Sequence, residues 1–194
     1  LGHDEVITVS ENAREAILAV ARRTAQAHGY GGLNFRDIGA EVGIKAASIY
    51  HHFPSKADLG AAVAKRYWED TAASLEALST ANRDPKKALR AYPGLFRRSL
   101  EQDNRMCLCS FMSAEYDDLP DAVKAEVQAF ADVNVAWLAR VLAAASVPAS
   151  KRETRARAIY AAVAGAQLMA RSRADLKLFD ALIESFRGSG LIPA

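Results

Sequence analysis

The stretch that decides the fold is GIKAASIYHHFPSK, Gly43 to Lys56. It holds a tyrosine, two lysines and two adjacent histidines, which raises a choice between a metal or acid–base site and a surface for a long anion. Neighbouring residues on a helix point about 100° apart, so His51 and His52 cannot close on one metal as an i, i+4 pair does. All four histidines lie at or before residue 52, far in sequence from Cys107 and Cys109, so no metal site is expected. Gly43 suits a sharp left-handed turn. A short helix follows with Ile49 and Phe53 inward, and Pro54 closes it. Upstream, Asn34 is a good N-cap, Asp37 favours the first turn, and Phe35, Ile38, Gly39 and Val42 fall on one face of a helix of about two turns. Two short helices joined by a glycine turn make a helix-turn-helix unit. Its second helix presents Lys45, Ala46, Ser48, Tyr50 and His51 outward. Lysine and tyrosine suit phosphate, serine suits either base, and alanine suits a thymine methyl. Lys56 lies just past the helix, where a cation meets the next phosphate. The surface reading wins over the metal reading.

The rest of the chain is helical in pattern. It has 194 residues, 51% hydrophobic and 25% charged, so it is long enough for a sizeable core and too apolar for a disordered chain. Alanine is abundant and strand formers are scarce. The net charge of +2 decides nothing about nucleic acid, but Lys45, Lys56, Lys65 and Arg66 outnumber Asp58 in their segment. Ile17, Val20, Ala21 and Thr24 form a helical stripe, with capping-box spacing at Thr8/Glu11 or Asn12/Glu15, and HGYGG (28–32) ends it. Ser55 caps a longer helix carrying Leu59, Val63, Tyr67, Leu75 and Leu78. Pro85, at N1 after Asp84, opens a helix with Leu89, Tyr92, Phe96 and Leu100, kinked at Pro93. EQDNR (101–105) is a break. Met106 to Tyr116 reads as a short apolar helix. DDLPD (117–121) begins a long one bearing Val123, Val127, Phe130, Asn134, Trp137, Leu138 and Val141. SVPAS (146–150) breaks it, and two helices follow, about 151–171 and 175–187. The expectation is an all-α protein of about nine helices. A helix-turn-helix DNA-binding domain spans residues 1–54, and a larger ligand-binding and dimerisation domain spans 55–194. No apolar run reads as long enough to cross a membrane and no signal peptide opens the chain, whose start, LGH, lacks a methionine. With two cysteines expected as free thiols, a cytoplasmic protein with no membrane partner is expected.

LNFRDIGAEVGIKAASIYHHFPSKADL, Leu33 to Leu59, resembles the DNA-binding signature of TetR-family transcriptional regulators. The likeness is carried by Arg36-Asp37-Ile38, by Val42-Gly43-Ile44, and by Ile49 to Phe53 followed by Ser55-Lys56. His28 to Tyr30 fits the end of the family's first helix. The match is specific over about 45 residues, and the later helices resemble the family in architecture alone. The resemblance implies a homodimer that binds a palindromic double-stranded DNA operator and leaves it when a small-molecule effector enters the larger domain. It places Arg36 at a base or phosphate, Lys45, Ala46, Ala47 and Ser48 at bases, and Tyr50, His51 and Lys56 at phosphates. Phe35 departs from the pattern, standing where a small hydroxyl or aliphatic residue is usual. Ala25 stands where a phenylalanine is usual, and Phe35 can refill that volume.

In the larger domain, Tyr92, Phe96, Met106, Phe111, Met112, Tyr116, Phe130, Trp137 and Tyr160 form an aromatic and methionine stripe. Each is more often plain core, but Asn134 and Gln167 fall on the same apolar faces, and several polar tips converging would make an apolar pocket with a few anchors. The expected ligand-lining set is Tyr67, Tyr92, Phe96, Cys107, Phe111, Tyr116, Phe130, Asn134 and Trp137. Cys107 and Cys109 would face nearly opposite ways on a helix. Buried cysteine is the default, and a sensor thiol, with Arg105 as the cation lowering its pKa, is the alternative, giving an electrophile- or redox-sensing repressor. The rival class is a helical enzyme. SAEYDD (113–118) offers carboxylates, but no nucleophile motif surrounds Ser113 and no glycine-rich phosphate loop exists, so no catalytic residue and no cofactor is assigned. A DNA-binding protein without a ligand is the third reading. The last two helices, with Ile159, Ala162, Val163, Ala166 and Met169 on one and Leu176, Phe179, Leu182, Ile183 and Phe186 on the other, are expected to pair with their copies in the homodimer.

Overall fold

The computed structural model describes residues 3–193, with side chains from Asn12 onward. Leu1, Gly2 and Ala194 lie outside the described residues, and with them the first two residues of the LGH start. The described residues form ten α-helices and one 3-10 turn, with no strand: α1 (His3–His28), α2 (Phe35–Val42), α3 (Ala46–His52), α4 (Lys56–Ala81), α5 (Pro85–Ala91), α6 (Gly94–Glu101), α7 (Leu108–Ser113), the 3-10 turn (Tyr116–Asp118), α8 (Asp121–Ala144), α9 (Ala149–Arg173) and α10 (Leu176–Gly188). The expected kink at Pro93 is a full break between α5 and α6, which accounts for the tenth helix. α1 already runs through Thr8 and Asn12, so neither caps its start. The side chains of Thr8 and Glu11 lie outside those described.

Local chemistry sets most boundaries. Asn34 Oδ1 accepts from the Arg36 N–H at 2.8 Å and opens α2. Gly43 ends α2 with φ of 82°, the left-handed conformation that favours glycine, and its N–H reaches the Gly39 carbonyl at 2.9 Å. Gly39 is needed for closeness: a Cβ there would stand 2.9 Å from the Ile44 carbonyl and 3.3 Å from the Ala46 nitrogen. The Ser55, Asp84 and Asp175 side chains cap α4, α5 and α10 by accepting backbone N–H bonds. The EQDNR break is built on left-handed Asp103 and Asn104.

One continuous core joins all of this, from Ile17, Val20 and Ala21 through Leu59, Val63 and Leu75 to Phe130, Leu138, Ile159 and Phe179. α4 and α8 lie side by side at its centre, and α9 covers α8. Against expectation, α8 is long and apolar enough to cross a membrane, with a mean hydropathy of 1.2 over its most apolar 18 residues. Its Val123, Val127, Phe130, Trp137, Leu138 and Val141 are instead buried inside the protein, so the apolarity belongs to a central core helix. The predicted dimer stripe on α9 is also corrected: Ile159, Val163 and Ala166 are buried in the chain's own core, as are Phe179 and Ile183 of α10. The exposed side of α9 carries Ala158, Ala161, Gly165 and Leu168.

Removing the α2 cap tests this account. Asn34→Ala should lower the unfolding free energy by about 1 kcal/mol, read as a shift in the urea midpoint with an unchanged slope.

Candidate nucleic-acid interface and effector core

The helix-turn-helix unit is held from three sides. α1 supports α2 through the Arg23–Glu41 ion pair at 2.6 Å and α4 through Arg22–Asp70 at 2.6 Å and Arg66–Glu15 at 2.8 Å. The Arg66 guanidinium holds the Glu15 carboxyl below its usual range. Ile49 and Phe53 anchor α3 in the core. This leaves Lys45, Ala47, Tyr50 and His51 exposed along one strip, with Arg36 of α2 exposed beside them. Lys45 and Arg36 make no side-chain ion pair or hydrogen bond among the described residues, so both cations are uncommitted. Ala46 and Ser48 are only half exposed, and Ala46 packs partly against the core where α3 approaches Gly39. The Tyr50 ring meets Phe35 edge-on at 4.7 Å, which orients it at the surface. Phe35 is itself buried.

Lys56 is not a free cation. Its Nζ donates to the Gly31 carbonyl at 3.1 Å and lies 4.7 Å from the Tyr30 ring centre, so it braces the α1–α2 turn. Arg66 and Lys65 are likewise paired, with Glu15 and Glu69, which removes most of the local charge excess.

The same turn shows a contact that sequence reading missed. Glu115, between α7 and the 3-10 turn, accepts the Tyr30 N–H at 2.7 Å and the Gly31 N–H at 3.1 Å. Gly29 adopts φ of 70°, and a Cβ there would overlap the Glu115 carboxylate. A carboxylate 84 residues away in sequence has no local signal. Glycine runs beside a helix end were the available hint that some acceptor comes close.

In the larger domain, the expected aromatic set does assemble. Rings follow one another from Trp137 to Tyr92 (5.7 Å), Phe96 (5.6 Å), Tyr160 (6.3 Å), Phe130 (6.3 Å) and Tyr67 (5.6 Å). Its polar tips are mostly taken by protein groups. The Tyr92 hydroxyl donates to Asn134 Oδ1 at 2.9 Å, and Asn134 donates to the Phe130 carbonyl at 2.8 Å. Trp137 Nε1 donates to Ser79 Oγ at 2.9 Å. Gln167 accepts from the Cys107 N–H and donates to the Phe96 carbonyl, fixing α9 against α6 and α7. These amides tie helices together. The Ser110 hydroxyl, near Cys107 and Tyr160, is buried with no partner at normal hydrogen-bond geometry among the described residues. Two members of the expected set lie elsewhere: Tyr116 is 45% exposed beneath Lys124, and Phe111 is half-buried under Arg171.

Both thiols are buried, Cys107 just before α7 and Cys109 within it, in line with the default of buried cysteine. Burial pushes both pKa values up. Arg105 turns away, donating to the Arg23 carbonyl at 2.8 Å. No cluster of potential metal ligands occurs among the described residues, and His51 and His52 differ in exposure as adjacent helical residues should.

Residues 17–63 match the family described as bacterial regulatory proteins, tetR family. The whole fold is similar to a TetR-family transcriptional regulator from Agrobacterium tumefaciens, at 31% identity and a TM-score of 0.86, covering 91% of this chain and 96% of that one. It is also similar to a TetR transcriptional regulator from Legionella pneumophila, at 29% identity and a TM-score of 0.85, covering 90% and 95%. The reduced form of Escherichia coli NemR shares the fold at 20% identity and a TM-score of 0.82, covering 91% and 96%. No curated protein matches the sequence.

The buried thiols give a direct test. Iodoacetamide at pH 8 should leave Cys107 and Cys109 unmodified in the native protein and alkylate both in denaturant, as peptide mass spectrometry would read. Rapid native labelling would restore the sensor-thiol alternative.

Proposed function

The chain belongs to the TetR family of transcriptional regulators, and on that premise we propose that it is a homodimeric repressor that binds a palindromic operator and is released by a small, largely apolar effector. The observation that carries the DNA reading is the exposed strip of Lys45, Ala47, Tyr50 and His51 on α3, flanked by Arg36, with two cations that make no ion pair or side-chain hydrogen bond among the described residues. Residues 1–54 form the DNA-binding part in this reading, and 55–194 the effector and dimerisation part. Lys45 and Arg36 reach base edges or phosphates, Ala46, Ala47 and Ser48 sit over bases, and Tyr50 and His51 meet the backbone. Lys56 acts through the turn it braces, with phosphate contact second to that.

The effector enters the aromatic core between α4, α6, α8 and α9, where Tyr67, Phe96, Phe130 and Tyr160 supply apolar faces and the Ser110 hydroxyl, with no partner at normal hydrogen-bond geometry among the described residues, supplies a polar anchor. Tyr67 lies on α4, the helix that begins directly after α3, so a ligand that displaces Tyr67 moves the recognition unit. Such a ligand releases DNA only to the extent that it prefers the non-binding arrangement. The burial of both thiols weighs against the electrophile-sensing alternative.

Dimerisation is supported by the outward side of α9. Ala158, Ala161 and Gly165 form a smooth strip of small residues ending at Leu168, which is 58% exposed, next to Met169 at 44%. A Cβ added at Gly165 would meet nothing in the chain, so the space above it is open to a second copy. Leu178 and Leu182 of α10 are half-buried and offer further apolar surface to a second copy. Two such helices pairing with their copies make a four-helix, two-fold seam.

Selection from random duplexes should enrich a two-fold symmetric site. On that site Lys45→Ala and Arg36→Ala should each cost about 1–3 kcal/mol where they contact bases. The same duplex should be released by members of an apolar compound screen. An asymmetric or absent motif would end the operator reading, and an empty screen would leave a DNA-binding protein without an effector. Light scattering should give the mass of two chains at micromolar concentration, and Gly165→Arg, which brings two like charges to the seam, should give the mass of one.

A further inference from the structure

We infer that the cleft between α1, α4 and α6 is a second binding site, one that takes a small organic anion. The cleft has a volume of about 460 Å³ and lies apart from the aromatic core, sharing only Tyr67 with it. That volume suits a small organic molecule and exceeds what an inorganic ion fills.

The charge of the occupant follows from the lining. Four guanidinium groups, Arg22, Arg23, Arg66 and Arg98, face two carboxylates, Glu15 and Asp70. Arg66 neutralises Glu15 and Arg22 neutralises Asp70. Arg23 turns to Glu41. Arg98 is left without an ion pair or hydrogen bond among the described residues. Ser99 and Gln102, on the same helix and lining the same cleft, likewise have no side-chain partner among them. One uncommitted guanidinium with a hydroxyl and an amide beside it matches one carboxylate or phosphate monoester, since the guanidinium fork binds such groups through two parallel hydrogen bonds.

The rest of the wall sets the body of the ligand. Leu18 and Ala19 of α1, Val63 of α4 and Leu95 of α6 give an apolar floor. Arg22 lies 4.7 Å over the Tyr67 ring and closes one end. An apolar or aromatic body with a single anionic group satisfies both halves of the cleft. The two carboxylates do not repel it, because each is already held by an arginine on the facing helix.

The test uses the full-length protein without DNA, so its outcome is independent of the operator reading. Calorimetric titrations with benzoate and 2-naphthoate are compared with their neutral amides, benzamide and 2-naphthamide. At least one acid should saturate a single site per chain and bind tighter than its amide by roughly tenfold or more, the discrimination expected when a charge-assisted hydrogen bond is lost. Arg98→Gln should remove that preference, and Arg98→Lys should retain part of it. Arg83→Gln, a charge-matched change on the exposed loop before α5, should leave binding unchanged. Arg98 is exposed and makes no ion pair or side-chain hydrogen bond among the described residues, so its variants should melt at the wild-type temperature. Equal binding of acid and amide, equal binding by wild type and Arg98→Gln, or no saturation by any of the four compounds would overturn the site.

Discussion

The Glu115 carboxylate, with one oxygen on the Tyr30 N–H and the other on the Gly31 N–H, fixes where the recognition unit sits. The turn after α1 leaves backbone donors that no local group satisfies, and a distant acidic residue takes them. Everything around the contact serves the approach. Gly29 has no side chain to collide with the carboxylate, Gly60 lets the Tyr30 ring lie against α4, and Lys56 grips the far side of the same turn. The corner at which α1 hands over to α2 is therefore tied at once to α4 and to the segment after α7. A displacement of either is felt at the start of α2, two residues after Leu33.

A second set of constraints runs through the larger domain. Asn134 and Gln167 are fully buried, and each makes two hydrogen bonds that cross between helices or along α8. Buried amides satisfied in this way specify which helix faces which, because any slip leaves a polar group unpaired in the core. The ring contacts from Trp137 to Tyr67 then form a continuous series across the domain to α4. Trp68, donating to Glu126 at 2.6 Å, adds a polar tie between α4 and α8 on the same stretch. α4 is thus packed along its length against α8 and joined near its start to the α1–α2 turn.

The sequence made the helix-turn-helix legible because its determinants are local. Asn34, Gly43, Pro54 and Ser55 act within a few residues of themselves, and Ile49 and Phe53 announce the buried face by spacing. The aromatic core was legible as a set for the same reason, since period alone put Tyr92, Phe96, Phe130 and Trp137 inward. What escaped were long-range matters. Lys56 read as a free cation because its partner carbonyl belongs to a turn 25 residues earlier. Ile159, Val163 and Ala166 read as a dimer face because apolar spacing on α9 cannot say which of two apolar sides faces the chain's own core. Much of the outward side is made of Ala158, Ala161 and Gly165, which carry little hydrophobic signal. Tyr116 joined the expected pocket by composition, while the 3-10 turn that carries it sets it at the surface.

The two ion pairs between α1 and α4 have a bearing on how DNA binding is measured. Arg22–Asp70 and Arg66–Glu15 are each roughly half in solvent, where an ion pair is weak and added electrolyte reduces it further. Raising ionic strength loosens the strut that carries the recognition unit at the same time as it competes at phosphates. The slope of log affinity against log salt is then a sum of counterion release and internal slackening. Counting phosphate contacts from that slope alone overstates them by the protein's own share, and a Glu15→Gln, Asp70→Asn background, in which the strut is already slack, separates the two.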